Sequence, residues 1–184
     1  MAIITNHLLN LKLNLFFPSA VLSKKVDKTK QFEDISIAQN KEFEKNKDYS
    51  NPKYMKLLLN FYYTEHILRM PVDKWPESIN RAFKHLNPNV YVYMQGPSEF
   101  GITGDATLKD WDITAKLKTL TVPTLAIGAK YDTMDPKAME EQSKMVQHGE
   151  YLYCPNGIHL AMWDDQKTYM NGVLSFIKKA DQGQ

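Results

Sequence analysis

Two short segments near the C-terminus carry groups that can move protons. "KYDTMDP" (130–136) holds two aspartates, and "CPNGIHLAMWDD" (154–165) holds a histidine in a glycine-containing turn. Each continues an apolar run, "VPTLAIGAKYD" (122–132) and "EYLYCPNG" (150–157), aliphatic enough for strands of a buried parallel sheet. In such sheets the chemistry sits beyond the carboxyl ends of the strands. An acid at one strand end and an imidazole at the next form the second half of a Ser…Asp…His order. Asp132 and His159 stand 27 residues apart (159 − 132), the room one helix and one strand occupy. Asp135 precedes Pro136 and a helical pattern, so capping accounts for it, whereas Asp132 has no capping task and is the better orienting carboxylate. Asp164 and Asp165 read as caps of the last helix. The bland alternative for His159 is a loop histidine packed beside Trp163. His7, His66, His85 and His148 have no comparable setting, and no histidine pair has the spacing and accompanying glutamate of a zinc helix.

A triad also needs a nucleophile, and "YVYMQGPSEFGITG" (91–104) offers Ser98. Its alternating aromatic and aliphatic residues read as a strand delivering a serine onto a turn. A nucleophile elbow, however, wants glycine two residues before and two after the serine. Gly96 satisfies the first position, Phe100 fails the second, and Pro97 removes a backbone N–H beside the serine. Ser19, Ser23, Ser36, Ser50, Ser78, Ser143 and Ser175 also lack the flanking glycines. Ser98 is expected to be a loop residue.

The elements that would position these groups follow from pattern. Residues 31–87 are helical in period. Asn51-Pro52 is a cap and first-turn pair, after which Tyr54, Leu57, Leu58, Phe61 and Tyr62 recur on one face. Ile79, Ala82, Phe83 and Leu86 mark a second helix, and "NPN" at 87–89 reads as a turn. From residue 122 the chain alternates strand, helix (135–149), strand and helix (164–180, with Met170, Val173, Leu174 and Ile177 inward), so the fold class is α/β with a parallel sheet. Its 184 residues suffice for one domain or part of a larger one, and a net charge of +2 leaves no footprint for nucleic acid or an anionic membrane. The single Cys154 excludes an internal disulfide. The apolar N-terminal stretch is broken by Lys12 and Pro18 well below the ~18 residues of a spanning helix. It reads as a poorly ordered or partner-covered segment, with a secretory leader as the alternative.

"MQGPSEFGITG…LKDWDITAKL", "VPTLAIGAKYDTMDP" and "YLYCPNGIHLAMWDDQKTY" resemble the proline iminopeptidases, serine aminopeptidases of the α/β-hydrolase fold. "YSNPKYMKLLLNFYYTEHILRMP" is similar to part of that family's helical cap, and the resemblance covers roughly residues 35–180. It implies Asp132 as triad acid, His159 as triad base, and Glu99 as a cap carboxylate binding the substrate's free α-amino group. It implies no metal and no organic cofactor. The family's Gly-x-Ser-x-Gly-Gly elbow and His-Gly-Gly-Pro-Gly oxyanion loop have no counterpart here. Thr133 stands where some relatives carry a second amine-binding glutamate, and Ile158 where a small polar residue commonly precedes the histidine.

The expectation is therefore a partial α/β-hydrolase fold with a helical cap. Residues 1–30 are unassigned, 31–104 form the cap and return loop, and 105–184 the C-terminal part of the core. The expected activity is release of N-terminal proline from small peptides or other free-amine substrates. The chain alone is expected to be inactive unless a partner chain supplies the nucleophile half, in the cytoplasm, with no nucleic-acid or membrane partner. The alternatives are a non-catalytic fragment or binding subunit, and an esterase-like hydrolase of the same fold. Lacking earlier strands, the pair of strands 122–131 and 150–155 is expected to leave one edge unpaired.

Overall fold

The computed structural model describes residues 2–4, 28–99, 102 and 105–183, with side chains described from Asp34 onward. The chain divides into two compact units, one being residues up to Lys109, the other Asp110 onward together with the N-terminal strand. The remainder of the 1–30 segment, apart from 2–4 and 28–30, lies outside the described residues, as do positions 100, 101, 103 and 104.

In the first unit the described residues form helices and turns only. Helix α1 (Lys28–Lys45) is followed by α2 (Pro52–Leu57), which runs through a π-helical turn at Leu58–Tyr63 into α3 (Thr64–His66). The Asn51 side chain accepts from Lys53 N–H at 3.1 Å, and Pro52 takes the first turn, so the cap and helix start coincide with the sequence pattern. Tyr54, Leu58, Tyr62, Tyr63, Ile67 and Leu68 are buried along this helix, whereas Phe61 is exposed. Helix α4 (Glu77–His85) buries Ile79 and leaves Phe83 exposed.

Residues 91–94 are not a strand. Asn87 accepts from the N–H groups of Asn89 and Val90, Pro88 occupies the first turn, and α5 (Pro88–Met94) follows. The "NPN" segment is thus a helix start rather than a turn. Its cap satisfies N–H groups locally, which outweighs the strand preference of Val, Tyr and Val.

The second unit contains a three-stranded, all-parallel sheet in the order β1 (Ala2–Ile4), β2 (Thr124–Ala129), β3 (Gly149–Cys154). Every residue of β2 is buried, as expected of a strand covered on both faces. Helix α6 (Pro136–Met145) links β2 to β3, capped by Asp135, whose side chain accepts from Lys137 N–H at 2.9 Å. Leu125, Ile127, Ala129, Cys154, Ala161 and Phe176 form the core, with Leu152, Tyr169 and Val173 packed against it. The short α7 (Ala161–Asp164) and α8 (Gln166–Asp181) complete the unit.

Two expectations change here. The edge of β2 is not wholly open, because Ala2, Ile3 and Ile4 pair with Thr124, Leu125 and Ala126 in parallel register. The buried face of α8 is Tyr169, Val173 and Phe176, while Met170 and Leu174 are exposed at 45% and 56%.

Candidate functional site

The ends of β2 and β3 are tied together beyond the last strand residues. Lys130 N–H donates to Cys154 C=O and Tyr131 N–H to Gly157 C=O, each at 3.1 Å. These bonds set the loop carrying Asp132 beside the loop carrying His159. His159 Nδ1 lies 3.0 Å from Asp132 Oδ1, with 4% of the histidine side chain and none of the aspartate side chain exposed. A carboxylate only accepts, so Nδ1 carries the proton and Nε2 is the basic nitrogen of the neutral ring. Asp132 Oδ1 also accepts from Met134 N–H and from the Thr133 hydroxyl, both at 3.2 Å. Thr133, at the position where some relatives have a glutamate, thus bonds the carboxylate of its neighbour.

The histidine loop is fastened from the other side by two carboxylates. Ile158 N–H donates to Asp164 Oδ1 at 3.1 Å, and Asn156 N–H to Asp165 Oδ2 at 3.0 Å. Asp165 Oδ1 accepts from the Thr168 hydroxyl at 2.7 Å. Reading these two aspartates as helix caps is therefore corrected. Asp165 occupies the N-cap position, but its side chain makes no capping hydrogen bond to the helix backbone and serves the loop instead. Gly157 is needed because a Cβ there would stand 2.8 Å from Ala161 Cβ and 3.1 Å from Cys154 Cβ. Ile158 is fully buried, so the residue before the histidine packs into the interior.

Cys154 offers no substitute nucleophile. It is fully buried, and burial, with the charges of Asp165 and Asp164, pushes its thiol up to about 12.

In the helical unit Ser98 is 1% exposed, and its hydroxyl donates to Glu44 Oε1 at 2.6 Å, an oxygen that also accepts from Tyr54 at 2.8 Å. Glu99 accepts from the Tyr91 hydroxyl at one oxygen and from Gln95 Nε2 at the other, the latter at 3.2 Å. Gln95 also donates to Tyr91 Oη at 3.1 Å, and Tyr62 donates to the Glu99 carbonyl at 3.3 Å. Burial first, and then the Glu99 charge, push the hydroxyls of Tyr91 and Tyr63 far above their ordinary range, so both remain neutral. Sequence reasoning missed Tyr91, Gln95 and Glu44. The signal for the first two was the i, i+4 spacing on a helix, hidden by reading 91–95 as a strand. The structure brings Asp132 and His159 together in one unit and places Glu99 in the other. Among the described residues no group of three or more His, Cys, Asp or Glu side chains is arranged to hold a metal ion, and no helix is long and apolar enough to cross a membrane.

No protein-family model matches the chain. Among curated relatives, the "Proline iminopeptidase" of Elizabethkingia meningoseptica is 56% identical over 153 residues, 83% of this chain and 51% of the relative. That of Flavobacterium johnsoniae is 58% identical over 148 residues, 80% and 48% respectively. That of Saccharolobus solfataricus is 35% identical over 138 residues, 74% and 43%. The chain thus spans about half the length of the curated relatives it matches. Among solved structures, VinJ superimposes with a TM-score of 0.67 at 19% identity, over 83% of this chain and 54% of that one. A proline iminopeptidase of Mycobacterium smegmatis gives 0.63 at 20%, over 84% and 55%. These two likenesses show the fold, part of an α/β-hydrolase.

Proposed function

Because the chain is homologous to proline iminopeptidases along some four-fifths of its length, we propose that it is the cap and acid–base portion of a serine aminopeptidase releasing N-terminal proline. The observation that carries this is the buried Asp132–His159 pair at 3.0 Å, at the ends of adjacent parallel strands. Asp132 fixes the tautomer of the ring. His159 Nε2 takes the proton from a serine hydroxyl as that oxygen attacks the prolyl carbonyl, and returns it to the departing amine. Glu99 pairs with the substrate's ammonium and so selects a free amino terminus. None of the eight serines of this sequence stands in an elbow, so the attacking serine comes from residues outside it. The sequence by itself then binds substrate without hydrolysing it.

The test combines the chain with the N-terminal half of a relative and follows cleavage of a prolyl chromogenic amide. Cleavage is expected only from the mixture. Asp132→Asn should lower its turnover by ~10⁴, the size of the effect when tautomer control is lost. Asp135→Asn should change little, since asparagine caps a helix equally well. Equal losses from both substitutions, or cleavage by the chain unaided, would refute the assignment.

A further inference from the structure

The two edges of β2 are covered unequally. On one side β2 pairs with β3 along its whole length, Thr124–Ala129 opposite Gly149–Cys154. On the other, β1 stands opposite Thr124, Leu125 and Ala126 and stops three residues before β2 does. Yet β2 is buried at every position, as a strand inside a sheet is, whereas β3 is buried only at Cys154. The N–H groups of Thr124 and Lys130 donate towards the β3 side, to the carbonyls of His148 and Cys154. Alternate residues of a strand turn their amides the same way, so Leu125, Ile127 and Ala129 face the β1 side. We propose that β1 is a stand-in, and that this edge of β2 docks a parallel strand of the polypeptide that supplies the serine, which displaces β1 as it binds. The proposal rests on reading the chain as the acid–base portion of an aminopeptidase, and adds where the other portion attaches and what must leave first.

Three features support it. The chain spans about half the length of its curated relatives and of the solved structures that share its fold, so a partner of the remaining length has strands to add. β1 is held weakly, because ordering a three-residue strand costs about what its few hydrogen bonds return. A strand matching all of β2 doubles the pairing and reaches Ile127 and Ala129. Finally, β1 is poorly suited to grow into that strand. The sequence after Ile4 is Thr5-Asn6-His7, polar residues that fit an interior parallel strand badly.

The experiment co-expresses the N-terminal half of a relative with two differently tagged copies of the chain, one parent and one variant, and compares how much of that half each carries. A variant lacking residues 2–4 is expected to carry ~3-fold more or better, because a surface occluded part of the time binds in proportion to its open fraction. Ile4→Pro should act in the same direction in the full-length chain, since it keeps an extended backbone and removes the N–H that faces Leu125 in this register. In the purified parent complex, hydrogen exchange at Ile4 N–H should quicken while Ala129 N–H gains protection. Equal loading of parent and both variants, or Ile4 still protected in a complex that cleaves a prolyl amide, would overturn the stand-in and leave the aminopeptidase reading in place. A complex with β1 released that cleaves nothing would support the docking edge and overturn that reading. No complex with any version of the chain would overturn both.

Discussion

Replacing Asp165 by alanine should loosen the loop that carries His159, and the structure gives the size of the effect. Asp165 is 7% exposed, and its carboxylate accepts two hydrogen bonds, from Asn156 N–H at 3.0 Å and from the Thr168 hydroxyl at 2.7 Å. A hydrogen bond to a charged group contributes ~1.5–3 kcal/mol net. Asn156 is an exposed residue and Thr168 a half-buried one, so water reaches both donors once the carboxylate is gone, and the lower end of that range applies. Removing the charge also relieves its desolvation. The expected loss is ~2–4 kcal/mol, a large part of the 5–15 kcal/mol that holds a domain together. Asp165→Asn keeps one acceptor oxygen and should lose about half as much. Urea unfolding followed by tryptophan fluorescence in a Trp75→Phe background reports on the unit that holds Trp111 and Trp163. Amide hydrogen exchange reports on the loop itself. Protection of Asn156 N–H should fall in Asp165→Ala, while Ile158 N–H, bonded to Asp164, keeps more of its own. A variant within ~0.5 kcal/mol of the parent, the ordinary range for an uninvolved surface site, with unchanged Asn156 protection would refute this account of the loop.

Ser98→Ala should destabilise the helical unit by ~1–3 kcal/mol, because Glu44 loses a buried donor. In the mixture with a relative's N-terminal half it should leave prolyl-amide turnover within a few-fold, and abolished turnover would make Ser98 the nucleophile after all. The Cys154 thiol, pushed up to about 12 by burial, stays protonated in the folded chain at pH values where the unfolded thiol, at ~8.5, has ionised. The unfolded state then binds fewer protons, so this group lowers stability as pH rises from about 8.5 towards 12. The stability of the parent relative to Cys154→Ala, read from urea midpoints, should therefore fall between pH 8 and pH 10, and a constant difference would show that the thiol is not so placed.

The strand–helix–strand segment was legible because independent local signals agreed there. An aliphatic run, an Asp-Pro helix start and a second apolar run each point to one βαβ unit, and the structure has it within a few residues at each end. Where signals conflicted, the sequence misled. Residues 91–94 have strand composition, yet they follow Asn87-Pro88, and the described residues of their unit include no strand to pair with. The phase of α8 was lost for a different reason. Gly172 has no side chain, and a Cβ there would stand 2.5 Å from the Leu152 methyl groups, so the helix approaches β3 at that point. That approach turns Tyr169 and Phe176 inward beside Val173, which the sequence pattern also put inward, and leaves Met170 and Leu174 outside. The pairing of Ala2–Ile4 with β2 was equally hidden, since three apolar residues carry no register.

The aspartates show which parts of a site a sequence can reveal. Asp135 and Asp132 were separable in advance because capping is a local task, written in the Pro136 that follows, and a side chain turned to its own helix cannot also reach a distant ring. The structure has Asp135 on Lys137 N–H and Asp132 on His159. Asp164 and Asp165 were not separable in this way. Their sequence neighbours suggest capping, but the N–H groups they accept belong to Asn156 and Ile158, brought there by the fold of the turn and not by spacing along the chain. The same holds for Glu99, whose carboxylate is oriented by Tyr91 and Gln95 from a helix that the composition disguised. An acid and an imidazole that meet at the ends of adjacent strands are thus visible from type and order. The groups that orient them become visible only when the backbone places their donors, and it is on those groups that the Asp165 substitutions bear.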